Sequence, residues 1–370
     1  MEQLFLCVAA KRAPKHHSMK YSLVIPVYNR PDEVSELLES LTHQAFTDFE
    51  VIIVEDGSSV PCLDVVKAYE GRLDVHYFSK PNSGPGQTRN YGAERAKGDY
   101  LLILDSDVLI PEGYFEAVES GIEETGALAF GGPDRAHPSF SATQKAINYS
   151  MTSFFTTGGI RGGKKKMDKF YPRSFNMGVK REVYQQLGGF SKMRFGEDID
   201  FSIRIFEAGY PCHLFSEAWV YHKRRTDFRK FFKQVHNSGI ARINLFKKYP
   251  SSLKMVHLLP AVFTLGTLFC LLLILAGIVY GVLNQSGIIQ IDFPGGPVGV
   301  ALGLLPLLLY AMIIFIDSAL RNKSLKVGLL SIPAAFIQLI GYGTGVLRAW
   351  WGRCVKGKGE MEAFKKNFYK

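Results

Sequence analysis

The stretch Tyr100-Leu-Leu-Ile-Leu-Asp-Ser-Asp107 is a short apolar run that ends on two carboxylates. An apolar run of this length, closed by polar residues, reads as a buried strand. Upstream, Tyr21-Ser-Leu-Val-Ile-Pro26, Phe49-Glu-Val-Ile-Ile-Val54 and Val75-His-Tyr-Phe78 read the same way. Between them, residues 32–42 place Val34, Leu37, Leu38 and Leu41 at helical spacing, and residues 63–69 and 87–96 read as helices. Strand and helix alternate at intervals of roughly 25 residues, the signature of a parallel α/β sheet covered on both faces. Ligands in such sheets bind at the carboxyl ends of strands. Here those ends carry Pro26-Val-Tyr-Asn29, Glu55-Asp56-Gly57 and Asp105-Ser106-Asp107.

The alternation weakens over residues 126–190. Gly158-Gly-Ile-Arg-Gly-Gly-Lys-Lys-Lys166 reads as a solvated loop, with an ordered phosphate cradle as the alternative. Residues 197–208 read as a helix whose first turn holds Glu197, Asp198 and Asp200, where carboxylates suit the helix dipole. Residues 223–233 form a basic amphipathic segment with Phe228, Phe231 and Phe232, either an ordinary surface helix or one lying on lipid.

The chain has 370 residues, 44 Lys+Arg and 34 Asp+Glu. Five scattered cysteines argue against a disulfide framework or a zinc cluster. Charge and apolarity are unevenly spread. No Lys or Arg occurs between Met255 and Leu320, yet residues 256–370 hold 10 basic and 4 acidic groups. Apolar spans edged by cations fit a membrane anchor better than a nucleic-acid binder. Residues 257–283 and 297–316 are each long enough to cross a bilayer core. Residues 327–347 form a third apolar stretch, interrupted by Pro333, Gly341, Gly343 and Gly345.

Topology then presents a conflict. The segment at Arg321, Lys323 and Lys326 is basic, whereas residues 284–296 carry no cation, which puts the large domain in the cytoplasm. Three full spans would send the C-terminal tail outside, against its Arg348, Arg353, Lys356, Lys358, Lys365, Lys366 and Lys370. A re-entrant or interfacial third stretch would return it. The sequence thus divides into a leader (1–19), a large α/β domain (20–250), a membrane region of two or three apolar helices (251–350) and a basic tail (351–370). Near the start, residues 4–10 are apolar, but Glu2 precedes them and the cations follow, the reverse of a signal peptide. Met19 is an alternative start.

Asp105 and Asp107, two apart at a strand end, make a hard oxygen site suited to Mg²⁺ or Mn²⁺ with diphosphate oxygens. Alone, such a pair often just ends a strand. Glu197-Asp198 alone would read as helix capping.

The ordered blocks around these residues are more specific. Ser22-Leu-Val-Ile-Pro-Val-Tyr-Asn-Arg30, Val54-Glu-Asp-Gly-Ser-Ser59, Asn82-Ser-Gly-Pro-Gly-Gln-Thr-Arg-Asn-Tyr-Gly92 and Gly98-Asp-Tyr-Leu-Leu-Ile-Leu-Asp-Ser-Asp107 resemble glycosyltransferase family 2. So do Gly188-Gly-Phe190 and Gly196-Glu-Asp-Ile-Asp-Phe-Ser-Ile-Arg204, and the resemblance spans about residues 20–225 in order. It implies an α/β GT-A fold, a Rossmann-like mixed sheet, followed here by transmembrane helices. It implies inverting chemistry, with Asp198 as general base. Asp56 would meet the nucleotide base, Pro26, Tyr28 and Arg30 would line the nucleoside pocket, and Arg89 would lie near it. Asp105 and Ser106 would hold the ribose or the metal surroundings, and Asp107 would bind the metal. His222, in Trp219-Val-Tyr-His222, matches a histidine that some relatives place near metal or diphosphate, with a structural histidine as the alternative. Arg224 and Arg225 could meet the diphosphate or anionic lipid, or be a solvated basic stretch.

The chemistry suits these assignments. Inverting transfer needs a carboxylate to take the acceptor proton. A diphosphate leaving group needs its charge neutralised, which a divalent metal supplies. The expectation is a membrane-anchored, exopolysaccharide-type glycosyltransferase at the plasma (inner) membrane, multi-pass, with its catalytic domain cytoplasmic. Its partners would be a UDP-linked nucleotide sugar, a lipid-linked or glycan acceptor and membrane lipids, with no nucleic acid. Alternatives are transfer to polyprenyl phosphate, and a non-catalytic membrane subunit that retains the fold.

Overall fold

A computed structural model describes residues 20–157, 170–193, 195–288 and 295–359. The leader, the Gly158–Lys166 stretch and the tail from residue 360 lie outside them. Elements run β1 (Tyr21–Val27), α1 (Pro31–Thr42), β2 (Phe49–Asp56), α2 (Leu63–Lys67), β3 (Val75–Lys80), α3 (Pro85–Ala93), β4 (Tyr100–Leu104), β5 (Val108–Leu109), α4 (Tyr114–Thr125), β6 (Ala129–Gly131) and β7 (Asp134–Arg135). They continue with α5 (Ala142–Thr152), α6 (Phe154–Thr157), β8 (Asn176–Lys180), α7 (Arg181–Gln186), α8 (Glu197–Glu207), β9 (Cys212–Leu214), β10 (Val220–His222) and α9 (Phe228–Lys248). Three long apolar helices follow, α10 (Leu259–Gln285), α11 (Gly295–Asn322) and α12 (Leu325–Trp350).

Alternation along β1 builds two cores, because successive side chains point to opposite faces. Leu23 and Ile25 pack with Leu37 and Leu41 of α1 and Phe115 of α4. Val24 packs with Ala93 of α3, Val183 of α7 and Phe201 of α8. The sheet order is β3-β2-β1-β4-β8-β6-β9. The first four strands are parallel, as their spacing predicts. The sheet is not parallel throughout, however. β8 runs antiparallel to both β4 and β6. Asn176 enters opposite Leu104, at the carboxyl edge of β4, so the chain must run back. That entry brings residues 170–175 to the edge where ligands bind. A second sheet, β5-β10-β7, stands beside this edge and pairs His222 with Val108.

The basic amphipathic segment is a helix, but with other bounds than 223–233. The helix starts at Phe228, capped by the Asp227 carboxylate on the Lys230 amide, and runs on to Lys248. Phe231 is buried with Ile147 and Met151 of α5, so much of its apolar face is spent inside the molecule rather than on lipid. α10, α11 and α12 are each long and apolar enough to cross a membrane. Pro333 and the glycines do not break α12, which is continuous. A Cβ at Gly341 would lie 2.6 Å from Val235 Cγ2 of α9, and one at Gly345 would overlap the His236 carbonyl. These glycines are close-packing positions, not interruptions.

Candidate active site

Arg89 on α3 is 3% exposed. Its Nη2 donates to Asp105 Oδ1 at 2.7 Å and its Nη1 to Glu197 Oε1 at 3.0 Å. One guanidinium therefore joins the carboxylate at the end of β4 to the start of α8. The same α3 turn is anchored by Asn90, which donates to the Phe190 carbonyl and accepts from the Phe190 amide, both at 2.8 Å. Two blocks far apart in sequence are thus locked at one edge.

Asp107 faces a cationic wall. Arg30 Nη1 donates to its Oδ2 at 2.6 Å, His222 Nε2 lies 3.2 Å from its Oδ1, and Arg225 Nη1 lies 3.8 Å from its Oδ2. Burial alone would raise the Asp107 pKa, but the interactions with His222, Arg30 and Arg225 outweigh it and hold the carboxyl far below the usual range. The His222 ring stacks on Phe175 at 5.0 Å. Ligand atoms of Asp105, Asp107 and His222 all lie within 4.8 Å of one another. Two carboxylates and an imidazole that already converge fit a divalent cation such as Mn²⁺.

Gly196, at φ +82°, turns the chain into α8. A Cβ there would be strained and would press on Leu245 of α9 at 3.0 Å. Asp198 then projects beside Arg173, whose Nε donates to its Oδ2 at 2.6 Å. Burial raises the Asp198 pKa, yet Arg173 prevails and the carboxyl sits below its ordinary value. Its neighbour Glu197 goes the other way, to about 7, through burial and the adjacent Asp198 charge, with Arg89 opposing. Neighbouring titratable groups with pKa values pushed apart are the pattern of an acid–base site.

The expected nucleoside residues divide. Pro26 and Tyr28 sit half-exposed at the end of β1. Ser106 is buried in the turn after β4. Asp56 is 1% exposed and accepts from Lys80 Nζ at 2.6 Å and from the Ser83 and Gly84 amides at 2.8 and 2.9 Å. Its carboxylate shapes the loop that opens α3. Arg30 and Arg89 donate to carboxylates of the cluster, Asp107 and Asp105 respectively. Three partners escaped the sequence reading: Lys80, Arg173 and Asp134, the last paired with Arg224 at 2.5 Å. No motif announces them, because their meaning lies in what they meet. Arg224 also donates to Asn148 of α5 at 3.0 Å, so it is neither solvated nor free for lipid.

The family model for glycosyl transferase family 2 matches residues 22–188. A Haemophilus influenzae protein described as an uncharacterized glycosyltransferase is 32% identical over 207 residues, 54% of this chain and 67% of that protein. The poly(ribitol-phosphate) beta-N-acetylglucosaminyltransferase TarS of Staphylococcus aureus is 36% identical over 110 residues, 29% of this chain and 19% of its own. The chain also spans only 23% of a Rickettsia felis glycosyltransferase it matches. The mannosyltransferase PcManGT from Pyrobaculum calidifontis, solved with GDP-Man and Mn²⁺, superposes with a TM-score of 0.54 at 13% identity, covering 90% of this chain and 88% of that one. At that identity the likeness speaks to the fold.

Proposed function

The chain belongs to glycosyl transferase family 2, and on that premise we propose that it moves a sugar, with inversion, from a nucleoside-diphosphate donor to a membrane-associated acceptor. The observation that carries this reading is the Arg89 bridge, which sets Asp105 of the Asp105–Asp107–His222 cluster against Glu197 and its neighbour Asp198. Two separate carboxylate groups on one edge are what inverting transfer requires.

Asp198 takes the proton of the acceptor hydroxyl as that oxygen bonds to the anomeric carbon and the bond to the diphosphate oxygen breaks. Arg173 keeps Asp198 ionised and aimed. Glu197, held up near neutral pH, orients the acceptor or the helix rather than taking the proton. Arg30 and Arg225 set positive charge where the diphosphate leaves. Asp105, Asp107 and His222 would hold Mg²⁺ or Mn²⁺, which supplies charge neutralisation for the leaving group. Pro26, Tyr28, Asp56 and Ser106 form the nucleoside side of the site. UDP is the expected nucleotide and a surface polysaccharide or glycolipid the expected acceptor; the similarity to a poly(ribitol-phosphate) glycosyltransferase favours a polymeric one.

In this reading residues 20–250 are the catalytic domain, on the cytoplasmic face of the plasma membrane, and residues 251–350 anchor it. The α10–α11 pair crosses the bilayer as a hairpin. Full-length protein in lipid, screened against nucleotide sugars for Mn²⁺-dependent binding and turnover, tests the proposal. Absence of any metal-dependent nucleotide binding would sink it. A glycosyl phosphodiester among the products would point to polyprenyl phosphate as acceptor, and a new glycosidic bond to a glycan.

A further inference from the structure

We infer that α12 is not a third span: it leaves and returns to the catalytic-domain side of the α10–α11 hairpin, so that residues 351–359 lie on that side. The inference rests on the reading that this hairpin crosses the membrane. A 26-residue helix is about 39 Å long, enough to cross. A third span running back along α11 would end level with Gln285 and Gly295. The contacts place it elsewhere.

α12 begins beside the end of α11. A Cβ at Gly328 would lie 2.9 Å from Ala319 Cβ, and Ser331 Oγ lies 2.6 Å from Ser318 Oγ. Its middle reaches Tyr310 and Phe263, whose rings lie 5.5 and 5.6 Å from that of Phe336. It then meets the start of α10. Thr264 Oγ1 lies 3.4 Å from the Leu339 carbonyl, and a Cβ at Gly343 would overlap the Pro260 carbonyl. Near its end, Val346 and Ala349 pack with Ala261 and Leu258. Since α10 and α11 are antiparallel (Phe263 beside Tyr310, Gly277 beside Gly296), the start of α10 and the end of α11 share one side. Both ends of α12 are therefore at the base of the hairpin. Just past α12, Arg353 Nη1 donates to Asn244 Oδ1 of α9 at 2.6 Å, which ties the chain back to the catalytic domain.

The exposure pattern agrees. In the most apolar window of each helix, 6% of α10 and 11% of α11 is buried in the protein, against 39% of the segment Leu325–Val355. α12 is clasped between α5 and α9 on one face and the hairpin base on the other. Trp350 and Trp351 remain about half exposed, the placement expected of aromatic residues at a lipid–water interface. The charge conflict also disappears: Arg348, Arg353, Lys356 and Lys358 come to the side of Arg321, Lys323 and Lys326, as cytoplasmic cations should.

Cys354, native and exposed, is a ready probe. Full-length protein is labelled with a membrane-impermeant maleimide in right-side-out and inside-out vesicles, with Cys354 alone, Ser286→Cys alone or Glu70→Cys alone in a background lacking other reactive cysteines. The expected result is that Cys354 labels in the orientation that labels Glu70→Cys and is protected in the one that labels Ser286→Cys. Labelling of Cys354 together with Ser286→Cys overturns the inference while the hairpin stands. Labelling of all three in one orientation overturns the membrane hairpin, and the inference with it. Should the cysteine-depleted background fail to fold, protease protection of a C-terminal epitope on otherwise native protein distinguishes the two sides of the membrane in the same way.

Discussion

Arg173 donates its Nε proton to Asp198 Oδ2 at 2.6 Å, joining the segment that leads into β8 to the first turn of α8. Residue 173 arrives there because β8 enters the sheet from its carboxyl edge. The pair lowers the carboxyl pKa of the proposed base. Asp198→Asn should lower transfer by about 10²–10⁴-fold while nucleotide binding survives, measured by turnover alongside calorimetry. Normal turnover by the variant would refute the assignment.

Arg173→Ala removes the charge that holds the Asp198 carboxyl below its ordinary value. The carboxylate form is the working one, so a raised pKa must move the acidic limb of the kcat/KM profile to higher pH. A profile that keeps its limb in place would show that another group carries it.

Arg89 serves Asp105 and Glu197 with one fork. Removing a buried partner of this kind leaves unpaired carboxylates and costs about 3–5 kcal/mol. Arg89→Lys supplies charge without the planar fork and should not hold both acceptors. Chemical denaturation in detergent should rank wild type above Arg89→Lys and Arg89→Ala lowest.

Glu197 has its folded pKa raised from 4.5 to about 7. Between these values the native state binds more protons than the unfolded chain, so stability falls as pH rises through that window. Glu197→Gln removes this slope. Unfolding midpoints of the two proteins from pH 4.5 to 7 should converge at the acid end and separate toward neutrality, the wild type losing ground. Parallel curves would contradict the prediction.

Asp107→Asn and His222→Ala act on the proposed cation site. Mn²⁺ titrations followed by electron paramagnetic resonance should show the first losing binding. The second should weaken it by at least the roughly 10–100-fold seen when even outer-shell partners are lost. Unchanged affinity in both would place the metal elsewhere.

The glycines of α12 give a graded stability test. A Cβ at Gly345 meets backbone, the His236 carbonyl at 2.1 Å, whereas one at Gly341 meets a side-chain methyl of Val235 at 2.6 Å. Gly345→Ala should therefore cost more than Gly341→Ala, on the scale of overpacking, about 1–3 kcal/mol. Thermal unfolding in detergent gives the ranking.

Much of the architecture is local and so legible. Val34, Leu37, Leu38 and Leu41 need only the helical period to mark the buried face of α1, and the strand at residues 100–104 needs only its own apolarity. The carboxylates at strand ends are equally local, since the next residue after a buried strand is where the chain meets solvent or ligand. Partnership is another matter. His222 reaches Asp107 because Val108 and His222 pair across two antiparallel strands, backed by the Lys223 amide on the Asp107 carbonyl at 3.0 Å. A hydrogen bond between residues more than a hundred positions apart leaves no period to read. The three glycines of α12 look alike in sequence as helix breakers, yet two let α9 approach and one lets α10 approach. The strands, the carboxylates and the apolar spans could be read from residue order, because each follows from burial within a few turns of chain. Which carboxylate meets which cation, and to which side α12 returns, emerge only in three dimensions, because they depend on the packing of elements that are distant along the chain.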